Sequence, residues 1–251
     1  MIYNRPEYWL AKTETVVPYL TFSSPNSFTL AVGDAKKHWD GIVEYSTDTS
    51  VWATWDGTTT LSSATSGSDN VLYLRGTGNT KIGYYDENKD DYIPWTINGT
   101  DVRCDGNIET LLDYATVEAG QHPMMAEECF GGLFMRCTAL ITLPELPATT
   151  LAVSCYEAMF EDCTSLTTAP ALPATTLANY CYTAMFRGCT KIKLSSIQTG
   201  EYTQEYRIPS SGEIAIPTSA LGEMFSNTGG TFTDTPAINT TYYLSNTNTV
   251  V

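Results

Sequence analysis

Apolar and polar positions alternate over the first part of the chain, from about residue 18 to residue 100. At 41–47, Val43 and Tyr45 alternate with Glu44 and Ser46, which is the pattern of a half-buried β-strand. Similar short stretches, rich in β-branched and aromatic residues and separated by turn clusters, predict strands at 27–32, 41–47, 52–55, 71–75, 81–85 and 92–97. Their number and spacing predict an immunoglobulin-like or fibronectin III-like β-sandwich over residues 18–100.

The pattern changes after the turn at 98–101, where we place a domain boundary. At 107–114 the apolar residues Ile108, Leu111 and Leu112 follow the i, i+3, i+4 spacing of a helix. Further on, a longer stripe of the same kind predicts an amphipathic helix of about three turns, formed by Ala178, Cys181, Tyr182, Met185 and Phe186. Each such helix is followed by a short stretch that predicts a strand.

A repeat of 26 residues organises the region from 129 to 189. CFGGLFMRC (129–137), CYEAMFEDC (155–163) and CYTAMFRGC (181–189) follow one another at this spacing, and a divergent fourth copy contains Met224 and Phe225. A fixed period of this size predicts stacked units, each too small to bury its apolar face alone. The predicted repeat core consists of Cys129, Cys137, Cys155, Cys163, Cys181, Cys189, Leu140, Leu166, Ile192, Phe134, Phe160 and Phe186.

The role of the cysteines has several possible interpretations: disulfides, a zinc site or free thiols. A helix would hold the two cysteines of one repeat about 12 Å apart, which is too far for a disulfide. Bridges between repeats would leave one of the three equivalents unpaired, and a zinc site lacks the usual close spacing of ligands. In the fourth copy Ala220 and Thr228 stand at the two cysteine positions. We therefore predict buried free thiols that fill space in the core.

Together these patterns predict an α+β fold in four parts. Residues 1–17 form an N-terminal arm, residues 18–100 the sandwich, residues 101–206 the repeats, and residues 207–251 a C-terminal repeat with a β cap. The arm contains Tyr3, Tyr8 and Trp9, and we expect it either to pack on its own domain or to dock on a protein partner in a larger assembly.

Charge and composition narrow the functions. The net charge is −15, with 13 Lys and Arg against 28 Asp and Glu, which argues against nucleic acid and anionic membrane surfaces as partners. No apolar run approaches the length of a transmembrane helix, and the first residues do not resemble a signal peptide. We predict no catalytic residue, metal or cofactor. The acidic loop at 86–91 lacks the Gly and Glu of a calcium loop, although the sequence leaves open whether it binds a cation.

Aromatic residues suggest one further kind of site. Trp39, Trp52, Trp55 and Trp95 all lie in the predicted sandwich, where indole rings either fill a core or form a platform for sugars. We favour the core.

The unit CY-x-x-MF-x-x-C, followed by TSLTTAPALPATTLA, resembles the BspA-type leucine-rich repeats of gut bacteria and their phages. The resemblance is strongest over residues 101–206 and implies a right-handed solenoid used as a surface-exposed binding scaffold without catalytic residues. We therefore expect a non-enzymatic, virion-associated adhesion or decoration protein on a virion or extracellular surface. It would bind a glycan or a host surface receptor, as a monomer or as a homo-oligomer. A bacterial surface adhesin and a purely structural particle component are the alternatives.

Overall fold

The computed structural model describes residues 17–214 and 219–251. The predicted docking residues Tyr3, Tyr8 and Trp9 lie outside this part of the chain. Their role stays a prediction.

Two antiparallel sheets occupy the N-terminal part, together with a short hairpin. The strands are β1 (Leu20–Ser24), β2 (Thr29–Val32), β3 (Ile42–Ser46), β4 (Ala53–Thr54), β5 (Leu61–Ser62), β6 (Ala64–Ser66), β7 (Asp69–Thr77), β8 (Tyr85–Asp86), β9 (Asp91–Tyr92), β10 (Trp95–Asn98) and β11 (Arg103–Asp105). The larger sheet runs β11–β1–β7–β3–β4 with β6 also paired to β7, and the smaller runs β10–β2–β5. Most of the predicted strands are present, but residues 81–84 form none.

The hydrophobic core is continuous across residues 98–101, where the sequence predicts a domain boundary. Strand β11 pairs with β1 through Cys104 and Phe22, so the larger sheet includes residues from beyond the predicted boundary. A single apolar cluster runs from Leu20 to Leu244. The one α-helix of the described residues, α1 (Thr110–Glu118), follows, and non-helical backbone at Asp113 interrupts it.

The repeats form turns in place of the predicted helices. We define the turn segments as residues 128–137, 154–163, 180–189 and 219–228. Within each, alternate amides bond three residues back, as Met159 does to Tyr156 and Glu161 to Ala158. In the first three segments the amides between them bond across to the next segment, as Phe160 does to Met185 at 3.1 Å. Every fourth residue, Ala158 and Asp162 among them, has a positive φ that stops the backbone from continuing as a helix.

The C-terminal part holds short strands attached to the repeats. They are β12 (Thr168–Ala169), β13 (Leu194–Ser195), β14 (Tyr202–Arg207), β15 (Thr241–Ser245) and β16 (Thr249–Val250), with a 3₁₀ turn at Ser219–Leu221. Strands β13 and β14 flank β15 in an antiparallel sheet, whereas β12 pairs in parallel with β16.

The predicted α+β class and the predicted solenoid are therefore wrong. The described residues form a mostly β fold of several small sheets, with no solenoid and little helix. The physical reason lies in the turn segments, whose amides bond laterally to a neighbouring segment at alternate residues, as in a sheet.

Stacked aromatic rings fill the core of the turn segments. Phe134, Phe160, Phe186 and Phe225 form one ladder with centroids 5.8, 5.9 and 5.5 Å apart. A second ladder joins Phe130, Tyr156 and Tyr182 at 5.8 and 5.9 Å. The first ladder is closed at its two ends by rings that meet it edge-on, Trp95 at one end and Tyr206 at the other. The rings therefore link the N-terminal sheets to the C-terminal sheet.

Candidate functional site

All twelve predicted repeat-core residues are buried. The six cysteines of the turn segments are free, and so is Cys104. In each of the first three segments the second cysteine donates its S–H to a carbonyl outside that segment, as Cys163 does to Phe134 and Cys189 to Phe160, both at 3.0 Å. These side chains build the scaffold and do not reach the surface, so a binding site has to be formed by their outward-facing neighbours.

The outward positions of the turn segments are joined by ion pairs. Arg187 contacts Glu161 of the preceding segment and Glu223 of the following one, both at 2.7 Å. On the second segment, Glu157 accepts a hydrogen bond of 3.3 Å from the hydroxyl of Tyr92. Burial and the neighbouring carboxylates raise the pKa of Tyr92, so this hydroxyl stays protonated as a donor. The side chains that differ between repeats therefore make contacts within the molecule.

A groove of about 660 Å³ crosses the outer side of the last two turn segments. We call it the stack groove. It is lined by Tyr180, Thr183 and Arg187 of the third segment and by Leu221, Gly222 and Glu223 of the fourth. Residues 235–238 complete the lining, and they stand beside the fourth turn segment because the amide of Glu223 bonds the hydroxyl of Thr235 at 2.8 Å.

The stack groove combines an exposed ring with charged and hydroxyl side chains. Tyr180 is 49% exposed, which is unusual among the aromatic residues of the repeats. Arg187, Glu223 and Thr183 supply a guanidinium, a carboxylate and a hydroxyl along the same surface. Apolar contact with a few placed polar groups is the usual composition of a ligand site.

The tryptophans do not form a sugar platform. Trp39, Trp55 and Trp95 are 3%, 1% and 2% exposed and pack against one another in the core. Trp52 is half-buried and covered by the guanidinium of Arg75, 4.1 Å from its ring centre. The core interpretation is therefore confirmed for three of them.

The acidic loop is held by contacts within the molecule. Asp86 pairs with Lys89 at 3.3 Å, and Asp91 pairs with Arg136 at 3.0 Å. The hydroxyl of Tyr85 donates to Asp90, and this contact is the main cause that raises the pKa of Tyr85 to about 12. Several of the loop carboxylates are thus already paired.

The two histidines contact buried or half-buried acids. His38 lies 2.8 Å from Asp34 and stacks on Tyr84, and His122 lies 2.8 Å from Glu109. No signal in the sequence indicates a site at Tyr180 or at His122. The residues that line the groove and the pocket around them come from segments that are distant in the chain.

Comparison with known protein families, with curated proteins and with solved structures finds no match for this chain. Within residues 17–214 and 219–251, none of the helices has the length and apolar character needed to cross a bilayer.

Proposed function

We propose that this protein is a non-catalytic adhesion protein of a virion or another extracellular surface, and that it binds carbohydrate in the stack groove. The observation that carries the proposal is the half-exposed ring of Tyr180 beside the polar side chains of Arg187 and Glu223. Sugars present an apolar ring face and a rim of hydroxyl groups, and this combination of side chains is complementary to both.

The rigidity of the groove supports this role. Arg187 is held by Glu161 and Glu223, and the backbone beneath it is bonded to both neighbouring turn segments. A pre-formed site loses less conformational entropy on binding than one that must be ordered by the ligand. The resemblance of the repeats to BspA-type surface proteins favours the same role.

A glycan array followed by titration calorimetry on the best ligand tests the proposal. We expect the change Tyr180→Ala to cost about 2 kcal/mol, or roughly thirtyfold in affinity, because a central ring is removed. Tyr180→Phe keeps the ring and should retain most of the affinity. The control is Tyr243→Ala, which alters a half-buried tyrosine of β15 outside the groove.

Circular dichroism should show all three variants folded. Equal affinities of the Tyr180→Ala and Tyr243→Ala variants would exclude the stack groove as the site. Absence of any glycan ligand would favour the alternative of a purely structural particle component.

A further inference from the structure

Residues 121–126 connect α1 to the first turn segment and are held at both ends. The amide of Gln121 bonds the carbonyl of Thr116, and the amide of Ala126 bonds the carbonyl of Thr80, both at 3.0 Å. Pro123 fixes its own φ. This connection is therefore a defined piece of structure, although it is neither helix nor strand.

His122 is oriented by a buried carboxylate. Its Nδ1 lies 2.8 Å and 3.1 Å from the two oxygens of Glu109, whose side chain is 1% exposed, whereas the imidazole is 50% exposed. Burial raises the pKa of Glu109, and the contact with His122 acts against that rise. With Nδ1–H donating to the carboxylate, the lone pair of a neutral imidazole is on Nε2.

Two methionines line the same pocket as this histidine. The pocket has a volume of about 430 Å³ and lies between residues 122–125 and residues 148–152. Met124 is 75% exposed, the most exposed of the large apolar side chains of the described residues, and Met125 packs partly against the core. Because Met124 is exposed, its side chain contributes little to the stability of the core, and its thioether is accessible to a metal ion.

We propose that His122, Met124 and Met125 form a binding site for a soft monovalent cation, Cu(I) or Ag(I). Thioether and imidazole ligands select Cu(I) over harder ions. Zinc prefers four ligands of the thiolate, imidazole and carboxylate type, and calcium requires six or more oxygens. Glu109 is the positioning residue, since a carboxylate on the second nitrogen fixes the tautomer and orientation of a ligating histidine.

Methionine methyl resonances give the sharpest test, because the protein also holds buried thiols that bind the same metals. The full chain is labelled at the methionine methyl groups and titrated with Cu(I) as its acetonitrile complex under reducing conditions. We expect the Met124 and Met125 signals to shift at one equivalent, while those of Met159 and Met185, which are fully buried, stay in place. Unmoved Met124 and Met125 signals would overturn the proposal.

Competition with a chromogenic Cu(I) chelator measures the affinity. The double change Met124→Leu and Met125→Leu keeps the side-chain volume and should weaken binding at least tenfold, as should His122→Gln. Glu109→Gln should weaken it about tenfold without removing a ligand. Met135→Leu, which alters a buried methionine outside the pocket, is the matched control. If the double variant binds as tightly as the wild type, the metal is held by cysteine thiols and the proposal is wrong.

Discussion

The same repeats are joined in two different ways on two sides of the molecule. On the turn face, formed by the four turn segments, each segment bonds directly to the next, as Tyr156 does to Cys181 and Tyr182 to Ala220. On the strand face, which consists of residues 138–143, 164–169 and 190–195, chain from outside the repeats takes part. Strands β12 and β13 occupy equivalent positions in successive repeats, yet β12 pairs with β16 and β13 pairs with β15.

The residue that separates β12 from β13 is Asn248. Its side chain accepts from the amide of Lys193 at 3.0 Å and donates to the carbonyls of Thr167 at 2.9 Å and Lys191 at 3.0 Å. Asn248 is 1% exposed. The C-terminal chain thus completes the hydrogen bonds that two neighbouring repeats do not make with each other.

This difference shows what a repeat can specify by itself. Ring ladders, thiols and turn backbone need only the next copy of the same sequence, so the turn face can form from local contacts. The strand face requires β15 and β16, which lie far away in the chain, so it is complete only when the C-terminal chain is in place. We therefore expect the two faces to respond differently to chemical change.

Alkaline pH should give the largest effect, because it acts on the turn face. Desolvation raises the pKa of Cys137 and of Cys181 to about 12, and it also raises the pKa of Cys129, Cys155, Cys163 and Cys189. Unfolded thiols ionise near pH 8.5, so between there and about 12 the unfolded chain gives up protons that the folded chain keeps. The contribution of the buried thiols to the free energy of unfolding is fully present below about pH 8.5. Above that pH it falls by roughly 1.4 kcal/mol per pH unit and thiol.

Thermal unfolding between pH 7 and pH 10 measures this loss, which we expect to reach about 2 kcal/mol per thiol at pH 10. The informative variant carries Cys181→Ala and Cys189→Thr, the residues found at these positions in the fourth segment. Its stability should depend less steeply on pH than that of the wild type. An unchanged slope would mean that the thiols are not the groups that titrate.

The sequence misled on the turn face because two periods are nearly equal over one segment. Cys181, Tyr182, Met185, Phe186 and Cys189 recur with a period of four residues, and a helix has a period of 3.6. Over nine residues the two patterns place the same side chains inward. The residues of the core could therefore be predicted from the sequence, whereas the backbone conformation could not. That conformation depends on positive φ at alanine, tyrosine and acidic residues, which do not indicate it in the sequence.

The N-terminal strands were easier to predict because alternation requires only the local sequence. The strand with which each one pairs is harder to predict, because pairing depends on which sheet edges are free in the folded molecule. Nothing in Thr168 and Ala169 indicates a parallel partner at Thr249 and Val250. The stack groove was missed for the same reason: residue 180 and residues 235–238 meet only in three dimensions.

Removing one ring from the turn face should cost less than alkaline pH but more than any single hydrogen-bonding change. Phe160 is fully buried between Phe134 and Phe186. We expect Phe160→Ala to lower the free energy of unfolding by about 3–5 kcal/mol, since it leaves a cavity in the ladder. Urea unfolding measures it. Val51→Ala, at a position that is 71% exposed, should change stability by less than about 0.5 kcal/mol. A loss below 1 kcal/mol for Phe160→Ala would mean that the ladder is loosely packed.

The smallest effect is expected for a change at Asn248, on the strand face. It tests whether the strand face can open while the turn face stays folded. Asn248→Ala leaves the carbonyl of Lys191 and the amide of Lys193 without partners and removes one of the two donors to the carbonyl of Thr167, at a cost of about 1–3 kcal/mol. Asn179→Ala, at an exposed asparagine whose side chain makes no hydrogen bond to the described residues, is the control and should change the free energy of unfolding by less than about 0.5 kcal/mol.

Hydrogen exchange shows where the Asn248→Ala variant opens. The amides of Thr249 and Val251 bond the carbonyls of Thr167 and Ala169, and they should lose protection because the strand is released. The amides of Phe160 and Asp162 bond the third turn segment and should stay protected, since no contact of Asn248 reaches them. If both pairs of amides exchange faster by the same factor, the strand face and the turn face unfold as one unit, and the C-terminal chain stabilises the whole stack and not one side of it.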